Sequence, residues 1–261
     1  MRRHLRQNLL LGAGVALLAL MTWLVVKQEQ TATTTPLTTI DASRVKTLSV
    51  RNGNQPLRRF ERGASGWQMR EPFDMPAQAQ AIERLLAIVS APPRSLYEAG
   101  KFDAHKIGLQ PPQAILDLDG QAIEFGGTDA IRGDRYVRVG GKIALVPDRF
   151  SAWLLAPPEA EVERRLMAPL QQLASVQING KIHNELIAAW GAVATGQVKA
   201  GGETAPADAV AVQLDGDGGR IDYRLWRRDD GRYAALRTQP PLLYPLEEAQ
   251  VQQLLPAAPE R

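Results

Sequence analysis

Five glycine-bearing pairs punctuate the chain: Asn52-Gly53, Asp119-Gly120, Gly140-Gly141, Asn179-Gly180 and Asp230-Gly231. Each sits between segments in which apolar residues alternate with polar ones, such as ILDLDG, RYVRVGGKIALV, AVAVQLDG and RIDYRLWRRDDGRYAAL. Such pairs supply the positive φ angles that tight hairpin turns demand, and the alternation buries one face of each flanking strand. The spacing therefore predicts a body of antiparallel hairpins.

Helices are expected between them. In PAQAQAIERLLAIV, residues Ile82, Leu85, Leu86 and Val89 fall on one helical face, with Pro76 suited to the first turn. PDRFSAWLL from Pro147 and PLEEAQVQQLL from Pro245 have a similar form, and the more polar PEAEVERRLM from Pro158 reads as a fourth, exposed helix. Residues 120–155 and 218–255 then run in the same order: strand, polar turn, a Gly/Arg/Tyr strand opening (GDRYVRV, DGRYAAL), and an aliphatic-Pro step into a helix ending Leu-Leu. VKTLSVRNG is echoed by LASVQING. The expected fold class is α+β, with repeated antiparallel hairpin-plus-helix units in two similar halves, residues 42–160 and 161–261. The two meet near 156–172, behind one N-terminal transmembrane helix.

That helix is read from LLLGAGVALLALMTWLVV, the 18 residues Leu9–Val26, which carry no charge. As a helix they would extend about 27 Å, close to the hydrocarbon core of a bilayer. The run ends in bulky Trp23 and Val26 with no small-residue cleavage site at its end, which favours a retained anchor over a signal peptide cut near Thr31-Ala32-Thr33. Arg2, Arg3 and Arg6 precede it and only Lys27 follows closely. The positive-inside bias keeps residues 1–8 in the cytoplasm and sends the bulk across, to the periplasm of a bacterial inner-membrane protein. Residues 27–41 are Thr-rich and lack hydrophobic periodicity, so they read as a linker. Three of the 31 basic residues precede the run, leaving 28 against 28 acidic ones. A body without net charge offers no general basic face for nucleic acid.

A tryptophan strand (GWQM) leads to the Pro-started helix PAQAQAIERLLAIV, followed by YEAGKFDAHKIGLQPP. The strands ILDLDGQAIEFGG and RYVRVGGKIALVP and the charged stretch EVERRLMAPLQQLASVQING come next. Over residues 45–180 this order resembles the bacterial envelope family called domain of unknown function 4340, some of whose members are associated with gliding-motility-type ABC transport components. The resemblance implies a bitopic envelope protein and carries over no functional residue.

Chemistry-bearing motifs are sparse. With no cysteine, the chain excludes disulfides, thiolate nucleophiles and a lipidated cysteine. His105 and His183 each have a carboxylate two residues away, Asp103 and Glu185, but no HExxH helix exists. GASG places Ser65 in a turn and is no nucleophile elbow. DGDGGRID resembles a calcium loop, yet its twelfth position is Trp226 where a bidentate glutamate is required, so Asp215, Asp217 and Asp222 read as a hairpin turn. Arg132-Gly133-Asp134 reads as another turn.

The first reading is thus a non-enzyme that needs no metal or cofactor and binds a membrane or periplasmic protein, such as a transporter or membrane assembly. Trp190, Leu242, Leu243 and Tyr244 form its candidate interaction surface, with core burial as the rival reading. A second reading is an enzyme gathering His105 or His183 with carboxylates. A third is a small-molecule or glycan-binding module with an apolar cleft near residues 156–172.

Overall fold

The computed structural model describes Gly14 and residues 16–23, 36–53 and 55–256. The first sheet comprises β1 (Thr47–Asn52), β2 (Arg58–Gly63), β3 (Gly66–Glu71), β4 (Met75–Pro76), β5 (Ser95–Glu98), β6 (Ala114–Leu118), β7 (Gln121–Thr128), β8 (Asp134–Val139) and β9 (Lys142–Pro147). The second comprises β10 (Leu173–Ile178), β11 (Lys181–Ile182), β12 (Lys199–Ala200), β13 (Val210–Gly216), β14 (Gly219–Arg227), β15 (Tyr233–Arg237) and β16 (Leu242–Leu246). Beyond the helical residues 16–23, the described α-helices are α1 (Ala79–Leu86), α2 (Ser151–Leu154), α3 (Ile187–Ala192) and α4 (Glu248–Leu254). The result is an α+β chain of two antiparallel sheets with short helices.

The alternating pattern does what a period of two requires. In β14, Ile221, Tyr223 and Leu225 are buried while Arg220, Asp222 and Arg224 are exposed. The turns also match their sequence: Asp119 and Gly120 have φ of 50° and 86°, and Asn179 and Gly180 have 48° and 79°. These are the left-handed angles of two-residue hairpin turns.

The two sheets share a strand order. The first runs β4-β3-β2-β1-β6-β7-β8-β9-β5 and the second β11-β10-β13-β14-β15-β16-β12. In each half antiparallel strands, β1 to β4 in the first and only β10 and β11 in the second, lead to a helix, a short strand crosses to the far edge, and a four-stranded meander ends in a second helix; β3 and β4 are the first sheet's two additional strands. Equivalent positions carry like residues. Val50 pairs with Leu116 and Ser49 with Asp117, just as Val176 pairs with Leu214 and Ser175 with Asp215. Asp119 Oδ1 accepts the Thr47 N–H at 2.7 Å, and Asp217 Oδ1 accepts the Gln172 N–H at 2.8 Å. Each aspartate thereby closes the start of the strand beside its own turn.

Helix boundaries depart from expectation. Pro76 belongs to β4, and α1 starts only at Ala79, although Ile82, Leu85, Leu86 and Val89 are all buried as its periodicity requires. PEAEVERRLM forms a single 3-10 turn, Pro158–Glu161, then runs without helix through Arg165 and turns at Leu166-Met167. Its backbone is used by both halves. Glu163 N–H donates to the Pro76 carbonyl at 2.9 Å and Gln78 N–H to the Glu161 carbonyl at 2.7 Å. Leu166 N–H donates to the Val193 carbonyl at 3.2 Å and Thr195 N–H to the Arg164 carbonyl at 3.0 Å. Pairing on both sides holds this segment straight where its side chains alone would permit a helix. One hydrophobic cluster runs through both sheets, with Val162, Leu166, Met167 and Leu170 of the joining segment inside it.

Candidate functional site

Charged groups are buried where the halves meet. Arg58, at the start of β2, is fully buried and pairs through Nη1 with Glu161 of the joining segment. Its guanidinium also donates to the carbonyls of Trp153 (3.2 Å) and Leu154 (2.6 Å) at the end of α2, and Asn52 Nδ2 donates to Leu154 at 2.9 Å. Burial pushes the Glu161 carboxyl up to about 7 against the opposing pull of Arg58, and burial likewise lowers the Arg58 guanidinium. Among the described residues, Arg58 Nε, Glu161 Oε2 and Asn52 Oδ1 have no hydrogen-bond partner. Every member of the group is closed off by protein, so it acts as a lock on the junction and offers no substrate access. The second half grips the same segment: Tyr223 donates to the Leu166 carbonyl at 2.7 Å and Arg237 to that of Ala168 at 2.6 Å.

Beside this lock lies an open cleft of about 460 Å³ between Pro157, Glu159 and Arg164 on the joining segment and Gln197, Val198 and Lys199 around β12. A second concavity, about 520 Å³, opens where the folded body begins. Pro36 and Leu37 form one wall, Leu96 of β5 and Val139 of β8 the other, and Lys142 and Gln121 stand at its edge. Leu37 and Thr38 are tied to the body by N–H bonds to the Ala91 and Val89 carbonyls at 3.0 and 3.3 Å. Leu96 is 49% exposed at the wall of this hollow.

Of the expected anchor residues, Leu9 and Val26 lie outside the described residues. Gly14 and residues 16–23 are helical, and Leu17, Leu18, Leu20, Met21 and Trp23 are each more than half exposed. Among the described residues no helix is long and apolar enough to cross a membrane.

The expected interaction surface is corrected. Trp190, Leu242 and Tyr244 are 0% exposed and Leu243 1%, so all four are core. β16 lies between β15 and β12, so the Pro-flanked PPLLYP segment offers no free edge. Trp190 Nε1 donates to the Leu254 carbonyl at 3.0 Å, closing the end of α4 much as Asn52 closes α2. The histidines stay apart from any ligand set: His105 is exposed, His183 pairs only with Glu185 at 2.9 Å, and no metal-binding cluster occurs among the described residues. Asp215 is engaged by Arg220 at 2.7 Å, Asp217 by backbone N–H groups and Asp222 by Gln213. Asp134 is buried against Arg94, which removes the Arg-Gly-Asp tripeptide from display. The Arg58–Glu161 lock was invisible in the sequence, because nothing local pairs residues 103 positions apart; the one hint was a charged residue at the head of an otherwise apolar-facing strand.

A family model described as a domain of unknown function (DUF4340) matches residues 67–210, from β3 through the joining segment to the first residue of β13. No curated protein and no solved structure matches the chain.

Proposed function

This chain belongs to the DUF4340 family of domains of unknown function, and from that premise we propose that it is a membrane-tethered binding module without catalytic activity. Its N-terminal helix anchors it in the bacterial inner membrane, and its periplasmic body holds an apolar segment of another envelope protein, as an accessory to a transporter or similar assembly. The observation that carries this reading is the exposed helical stretch 16–23, whose leucines, methionine and tryptophan leave no polar face. A helix apolar all round is stable only inside a protein or a bilayer. The hollow beside Leu96 lies where the tether joins the body. Nine residues lie between Val26 and Pro36, about ten Cα steps with a reach of at most about 36 Å, so the hollow stays close to the membrane surface and to whatever projects from it.

Cells expressing the full-length chain with a photo-crosslinking residue at Leu96 test this, beside a form whose residues 1–30 are replaced by a cleavable signal. Retention in the membrane after alkaline extraction, with a Leu96 adduct to a membrane protein that the released form loses, is the expected result. Release by alkali, or identical adducts from both forms, overturns it.

A further inference from the structure

The two halves treat the outer faces of their sheets differently. In the first half, fifteen residues separate β5 from β6, and they fold back over the face. Phe102 stacks edge-on against Tyr136 at 5.6 Å, Gly127 N–H donates to the Ile107 carbonyl at 2.8 Å, and Leu109 is fully buried. Gly126 makes this possible, since a Cβ there would collide with the Ile107 carbonyl and the Leu109 side chain. In the second half only nine residues separate β12 from β13, and Glu203 in that link pairs with Arg228 just beyond β14. The equivalent outer face is bare and forms a trough of about 610 Å³.

Its chemistry has also changed. By strand pairing, Gly126 corresponds to Arg224, Ile115 to Gln213 and Ala122 to Arg220. An apolar plug like that of the first half cannot settle on such a surface without stranding these polar groups. The lining is organised: Gln213 Nε2 donates to Asp222 Oδ1 at 3.1 Å, Arg220 is held by Asp215 at 2.7 Å, and Thr238 donates to the Asp222 carbonyl at 2.9 Å. Arg224 Nη1 donates only a long bond, 3.5 Å, to the Ala209 carbonyl, and among the described residues this arginine, unlike Arg220, has no carboxylate within ion-pair distance.

We infer that the outer face of the second sheet, across Gln177, Gln213, Asp222, Arg224 and Thr238, binds a saccharide that carries a carboxylate. Backbone groups in mid-sheet are consumed by the ladder, so the face offers side chains only, whereas a peptide binding by its main chain needs a sheet edge. Amides, a carboxylate and a hydroxyl in a row suit a ligand dense in hydroxyl and amide groups, and Arg224 supplies the charge for its carboxylate.

Full-length protein in detergent micelles, titrated calorimetrically, tests the assignment. The probes are a tetrasaccharide of N-acetylated amino sugars with a carboxylate on each disaccharide, its carboxyl-reduced counterpart, and tetraglutamate. Expected are a Kd tighter than about 1 mM for the first probe and at least about tenfold weaker binding of the second. Arg224→Gln should erase that difference while Tm stays unchanged. Gln213→Ala should weaken both saccharides. No binding of either saccharide, equal binding of tetraglutamate, or indifference to Arg224→Gln overturns the inference. None of these outcomes depends on whether the Leu96 hollow has a partner.

Discussion

Glu161 makes stability depend on pH in a direction opposite to that of most carboxylates. Its carboxyl titrates at about 7 in the fold, against 4.5 as its ordinary value. Between those values the folded protein holds a proton that the unfolded chain has released. The stabilisation is full below pH 4.5 and is lost as pH rises through 7. Thermal melts from pH 5 to 8 should show the loss, and Glu161→Gln should flatten that slope whatever it does to the absolute Tm. Asp119 and Asp217 make a paired prediction. Each accepts two backbone N–H groups at equivalent places in its half. Asp119→Ala and Asp217→Ala should lower Tm by similar amounts, and the double variant by their sum, since distant sites add.

Among the elements, α3 and β16 decide between a surface and a core. Trp190→Ala should cost about 3–5 kcal/mol and Leu242→Ala about 2–5 kcal/mol in denaturant unfolding, as deletions of buried side chains do. Their m-values should remain those of wild type. Hairpins were the legible part of this chain: Asp119-Gly120 and Asn179-Gly180 take left-handed angles at both residues and mark their turns without tertiary help, whereas in Asn52-Gly53 and Asp230-Gly231 only the glycine does. The α1 face was legible as well, because Ile82, Leu85, Leu86 and Val89 keep a period that only a helix satisfies. Its start was not, since Pro76 suits a helix's first turn and an edge strand equally. PEAEVERRLM was misread for another reason: its fate depends on backbone partners at Pro76 and Val193, which no local pattern reports. For Trp190 and Leu242–Tyr244, composition suits a core and an interface alike. The bare trough of the second sheet emerges only when strand pairing sets Arg224 against Gly126.

At the scale of the whole molecule, the joining segment and the common hydrophobic cluster tie the halves together. Calorimetry should record one unfolding transition with equal calorimetric and van't Hoff enthalpies. Two resolved transitions would mean that the pairing of residues 161–166 with both halves does not bind them into one cooperative unit. The attachment of residues 37 and 38 is of a different kind. Leu37 and Thr38 are fastened by two backbone bonds, to Ala91 and Val89, with Leu37 inserted into the core; behind them Ile40, Ala42 and Val45 pack on the same core and Arg62 Nη1 donates to the Ser43 carbonyl at 2.6 Å. Tension applied from the N-terminal side arrives at these two bonds one after the other, like tape lifted from its end. The β1 ladder is loaded only once these bonds and the contacts of residues 40–45 have parted in turn. The molecule thus carries a peelable strap, residues 37–45, in front of a stiff body: a tug can part the strap and leave both sheets intact.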